Sequence, residues 1–219
     1  MTSQQRNRVS RPGVLDRIGL ALSTARYVDG LWVGSWCTPS NLGRIEEALL
    51  LIKRHSRIHY FSVVRDLARI WVLPLPHRGG KYKESLGACM LDERYVANAT
   101  VEQIASTIVH EATHARLARC GIRYEENLRS RIEAVCIRRQ LAFVAKLPNC
   151  AELHGRTMRR LEWCRTNAEW FSNEQFRERQ RQGNIDALRY IEAPEWFIRI
   201  ASRIGAMTAR LRRLSRSAR

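Results

Sequence analysis

The chain of 219 residues has no run of 18 or more apolar residues and no Cys-x-x-Cys pair. The first absence argues against a membrane-spanning helix, and the second leaves neither a zinc ribbon nor a disulfide framework indicated. Its six cysteines, at 37, 89, 120, 136, 150 and 164, stand singly and read as buried thiols. The N-terminal stretch also lacks a signal-type apolar region with a cleavage site, so a reduced, cytoplasmic setting is the expectation.

Acids are scarce as well: 21 Asp and Glu stand against 38 Lys and Arg, giving a net charge of +17. Such an excess favours polyanions, nucleic acid or an anionic membrane surface among them. Lysine is rarer still, at four of the 38, and an arginine bias of that kind also arises from genome composition. The charge by itself therefore assigns no partner. With 45% hydrophobic residues the chain can bury one core, and one domain over residues 13–193 is expected. Residues 1–12 read as a disordered basic arm. Residues 194–219 read as a basic amphipathic helix. From Trp196 onward there are seven arginines and no acid, beside an apolar stripe of Trp196, Phe197, Ile200, Ile204, Met207, Leu211 and Leu214. Packing on the domain is the expected role of that stripe; contact with an anionic membrane or nucleic acid is the alternative.

What the chain does contain is the stretch from Thr107 to Leu117, which spells His-Glu-x-x-His at His110, Glu111 and His114. On an α-helix, histidines four apart lie one turn apart on one face, so both imidazoles reach one tetrahedral zinc at about 2.0–2.1 Å. Glu111 sits beside them, where a carboxylate takes a proton from an activated water and passes it to a leaving amine. The flanks predict a helix over about 101–120. Thr100 and Gln103 form a capping box, and Gly121 supplies a residue able to adopt positive φ at the stop. Val101, Ile104, Ala105, Ile108, Ala112 and Ala115 recur at helical spacing, with His110 and His114 on roughly the opposite side.

A third ligand is suggested by Glu133, a single acid inside the apolar run Ile132-Glu133-Ala134-Val135-Cys136-Ile137. An unpaired carboxylate there would be costly, and a metal removes the cost. Eighteen residues separate His114 from Glu133, enough for a turn at Gly121 and a second helix returning antiparallel to the first. At residues 86–145 the chain thus resembles the gluzincin metallopeptidases, in which His-Glu-x-x-His is followed on the next helix by a ligating glutamate at about this distance. The resemblance implies His110, His114 and Glu133 as zinc ligands and Glu111 as general base and acid. Two positions depart from known patterns. Many gluzincins carry an acid four residues after the third ligand to orient a histidine, and here Ile137 stands there, so that support must come from elsewhere. The metzincin pattern needs Gly and His where this chain has Leu117 and Cys120.

Along the rest of the chain, Val14 to Leu22 reads as a short helix and Leu31 to Trp36 as a strand. Thr38-Pro39-Ser40-Asn41 opens a helix ending near Ser56, with another turn or two from His59 to Leu67. Ile70 to Leu73 is the best strand, residues 76–82 read as a loop, and Leu86 to Leu91 reads as a returning strand. In proteins resembling this one that last strand edges the cleft and holds an extended peptide by backbone pairing. Helices are expected over 152–170 and from the capping box at Ser172 and Gln175. Tyr124 and His154 are weaker candidates, as donors to the oxyanion of amide hydrolysis. His55, His59 and His77 carry no ligand spacing.

The expectation is an α+β protein, predominantly helical, with a two- or three-stranded sheet packed on the His-Glu-x-x-His helix. Its expected activity is zinc-dependent hydrolysis of a peptide or protein substrate. A catalytically silent zinc-stabilised binding module and a basic nucleic-acid-associated protein are the rivals.

Overall fold

The computed structural model describes residues 12–36, 38–76 and 79–200. After helix α1 (Val14–Leu22), strands β1 (Thr24–Val28) and β2 (Leu31–Ser35) form a hairpin. Asp29 and Gly30 make its turn with φ of 48° and 83°, the left-handed pair that matches the twist of the flanking strands. Helices α2 (Asn41–His55) and α3 (Arg57–Asp66) carry the chain over to β3 (Arg69–Leu73), parallel to β2. The chain then skips one position, forms β4 (Gly80–Lys83), and returns as β5 (Ala88–Asp92) between β3 and β4. The sheet therefore has five strands in the order β1-β2-β3-β5-β4, with β1 and β4 antiparallel at its ends.

The fold is α+β and predominantly helical, as expected, but the sheet is larger than the two or three strands expected. Each central strand is buried on both faces, which is why β3 and β5 read as unbroken apolar runs. Ile70, Val72, Cys89 and Leu91 point into the main core, and Trp71, Leu73, Ala88 and Met90 into a second, smaller cluster. Against that second face lies α1: a Cβ on Gly19 would stand 2.8 Å from the Trp71 ring, so only glycine admits this approach. The main face is covered by α2 and α5 (Val101–Arg119), through Leu42, Ile45, Leu49, Ile104 and Ile108, all at most 1% exposed. Each such side chain contributes about 1.5–3 kcal/mol relative to exposure.

Between β5 and α5 lies the short helix α4 (Glu93–Asn98). The chain beyond α5 stacks outward from the sheet as α6 (Glu126–Val144), which packs on α5, and α7 (Ala151–Thr166), which packs on α6. A 3-10 turn at Ala168–Phe171 leads into α8 (Asn173–Tyr190). Arg129 of α6 holds that junction by donating to the Phe171 carbonyl at 2.9 Å and to Asn173 Oδ1 at 2.7 Å. Glu126 accepts from the Asn173 backbone N–H at 2.7 Å. These bonds fix α8 beside the first turn of α6. Residues 195–200 are helical, and the remainder of the expected C-terminal helix lies outside the described residues, as does the expected basic arm up to residue 11. Among the described residues, no helix is long and apolar enough to cross a membrane.

Candidate metal centre

Local chemistry sets the bounds of α5. Thr100 Oγ1 accepts from the Gln103 N–H at 3.3 Å while Gln103 Oε1 accepts from the Thr100 N–H at 3.1 Å, so the capping box is formed in both directions. At the other end Gly121 has φ of +80°. Its N–H reaches Ala118 O at 2.9 Å, and that of Ile122 reaches Leu117 O at 3.0 Å, a closing pattern that satisfies the last carbonyls. The chain turns through residues 120–125 and α6 runs back along α5. Ser106 pairs with Gln140, Nε2 donating to Oγ at 3.0 Å, and His110 and His114 meet Glu133 further along.

That register brings three side chains to one point. Nε2 of His110 and Nε2 of His114 are 3.2 Å apart. Glu133 Oε2 lies 3.3 Å from the first and Oε1 lies 3.3 Å from the second. Tetrahedral coordination at about 2.0 Å sets neighbouring ligand atoms about 3.3 Å apart, so the spacing fits a single metal ion. His110 Nδ1 is buried without a partner, which leaves that ring its polar contacts through Nε2. All three side chains are at most 13% exposed.

The electrostatics have the same sense. Burial alone would raise the pKa of Glu133, yet the two imidazoles hold it well below the usual carboxylate range. Burial alone would lower that of His114, yet Cys136, Glu133 and Glu111 carry it well above the usual imidazole range. The pocket thus favours a positive charge at this point.

Two further groups hold Glu133. Tyr124 Oη donates to Oε1 at 2.7 Å, and Arg160 Nη2 of α7 lies 3.8 Å from Oε2. Tyr124 therefore reaches the centre, but engaged with a ligand candidate and with its ring edge on His114 at 5.6 Å. His154, six residues before Arg160 on α7, is not among the residues lining the cleft.

The cleft has a volume of about 550 Å³. Its floor is α5, where Glu111 is 5% exposed. One wall is β4, through Gly80, Lys81 and Tyr82. The strand expected to edge the cleft, Leu86 to Leu91, is instead the interior β5, and the stretch read as a loop supplies the edge strand β4. The approach is close: a Cβ on Gly80 would stand 2.6 Å from Thr107 Cγ2 and 3.1 Å from Glu111 Oε1. Burial lowers the pKa of Lys81 in this wall, a shift that Lys83 adds to and Glu111 opposes. The opposite wall is aromatic, with Trp163, Trp170, Phe171 and Phe176 from α7, the 3-10 turn and α8.

Sequence reasoning missed Cys136, Arg160 and this wall. Cys136 is fully buried, and its sulfur lies within 4.8 Å of ligand nitrogens of both His110 and His114. Its place one turn after Glu133 was the available signal. In comparisons with protein families, curated proteins and solved structures, nothing matches the chain.

Proposed function

We propose that this chain is a zinc-dependent peptidase of the gluzincin type, with His110, His114 and Glu133 as ligands and Glu111 as general base. The observation that carries the reading is the set of ligand-atom separations of 3.2–3.3 Å, on a cleft that Glu111 also lines. Zinc bound there supplies Lewis acidity toward a carbonyl and lowers the pKa of a water toward about 7. Every other part is done by the chain. Glu111 takes the proton of the attacking water at its carboxylate and returns it to the departing amine nitrogen. Strand β4, against which the Glu111 carboxylate lies, holds an extended peptide by backbone pairing and presents its scissile bond to that carboxylate. Tyr124 and Arg160 orient Glu133 rather than the substrate. The aromatic wall receives apolar side chains and keeps water from the reacting bond.

A cytoplasmic location goes with this reading, since the cysteines at 89, 120, 136, 150 and 164 are all free thiols. The test is Glu111→Gln, which keeps the shape and removes the basicity. The variant should bind zinc as the wild type does and hydrolyse peptides about 10²–10⁴-fold more slowly. Absence of cleavage of a broad peptide library by the zinc-loaded wild type and by zinc-loaded Cys136→Ser alike would refute the peptidase reading and leave a binding module.

A further inference from the structure

Glu133 and Cys136 stand three apart on α6; Glu133 meets His110 and His114 through its two oxygens, and the Cys136 sulfur lies near the same two imidazoles. The site thus has one more donor than an open catalytic zinc uses, because three protein ligands leave the fourth position to water or substrate. The extra donor is a sulfur, fully buried against the two imidazoles. The other described cysteines are not grouped with these histidines.

We propose that Cys136 is a fourth protein ligand, whose thiolate closes the metal's open position and holds the site latent until it is withdrawn. This rests on the peptidase reading for its consequence, but not for the ligand itself. A zinc bound by nitrogen at about 2.0 Å and sulfur at about 2.3 Å sets those two atoms about 3.5 Å apart. The present separations are within 4.8 Å, so the sulfur closes the difference by moving about 1 Å. A χ1 rotation of a few tens of degrees moves a cysteine sulfur about that far. On metal binding the thiol loses its proton to solvent and the sulfur lone pair makes the bond; no electron is transferred. Withdrawal of the sulfur restores a three-ligand site facing the cleft.

The test uses the full chain loaded with Co²⁺, whose thiolate complexes show a sulfur-to-cobalt charge-transfer band in the near ultraviolet. The wild type should show the band, Cys136→Ser should lose it while keeping stoichiometric cobalt, and Cys164→Ser, which alters another buried thiol near the cleft, should keep it. Retained visible d–d bands show that Cys136→Ser is folded and loaded. With zinc, Cys136→Ser should hydrolyse peptides at least about tenfold faster than the wild type. Absence of the band from the wild type, or its persistence in Cys136→Ser, overturns the assignment of the ligand. A band lost as expected but with no gain in hydrolysis over an active wild type overturns the latency. If neither protein hydrolyses any peptide while the band behaves as expected, the ligand stands and the peptidase reading fails.

Discussion

Replacing Tyr124 by Phe removes one hydroxyl and leaves the ring edge on His114. The hydroxyl donates to Glu133 Oε1 at 2.7 Å, a charge-assisted bond of a kind that contributes about 1.5–3 kcal/mol when buried. Tyr124 is 40% exposed, so solvent replaces part of it, and about 1.5 kcal/mol is the reasonable figure. At 1.4 kcal/mol per decade, metal affinity should fall about tenfold, within the roughly 10–100-fold range seen when a partner of a metal ligand is lost. The assay is competition for Zn²⁺ against a chromogenic chelator, with circular dichroism to verify the fold. The same variant separates two roles. A residue that positions Glu133 weakens metal binding, whereas a donor to the oxyanion lowers kcat and leaves metal affinity alone. Unchanged zinc affinity in a folded Tyr124→Phe protein would refute the positioning role.

Two further outcomes follow from the packing. A Cβ on Gly183 of α8 would stand 1.9 Å from the Pro76 carbonyl oxygen, so Gly183→Ala must push α8 off the loop after β3; a loss of about 1–3 kcal/mol is expected. For a domain of this size that lowers Tm by roughly 2–10 °C, and an unchanged melting curve would show that α8 does not sit as described. His59 is 3% exposed, its pKa lowered to about 4 by burial and by Arg139 and Lys146; Nδ1 is 2.7 Å from Ser56 Oγ, which also accepts from Lys146. Between pH of about 6.5 and 4 the unfolded chain binds a proton that the folded chain refuses, so stability falls as pH falls through that window, by about 3 kcal/mol. Urea denaturation across this range should show the slope in the wild type and a reduced slope in His59→Gln; equal slopes would assign it to other groups.

Helix α5 was legible because its ends are decided locally, by Thr100 and Gln103 at one and Gly121 at the other. Strands β3 and β5 were legible because burial on both faces leaves an apolar run. The two end strands were not. Four of the five residues of β1 are exposed, and β4 reads Gly-Lys-Tyr-Lys. Neither shows the alternation that marks a half-buried strand. Such strands take their conformation from the ladder beside them, and that ladder exists only once β2 and β5 are in place. The cleft wall at β4 was accordingly mistaken for a loop, and its role given to β5.

At the candidate metal centre the same division holds. Glu133 was legible because a lone acid in an apolar run calls for a partner. Cys136 was not, because cysteine is both a small apolar side chain and a metal ligand, and its apolar neighbours fit the first role. Its meaning depends on the register of α6 on α5. The Ser106 to Gln140 hydrogen bond marks that register at one end, and the two imidazoles on Glu133 mark it at the other. A one-residue shift along α6 rotates each side chain by about 100°, which would carry Cys136 off the face that now meets the histidines. Arg160 and the aromatic wall are one step further removed, since they reach the centre only through α7 packed on α6 and the 3-10 turn pinned by Arg129. Local sequence could therefore name the two histidines of the first helix, and the acid of the second by its cost. The sulfur and the walls belong to packing.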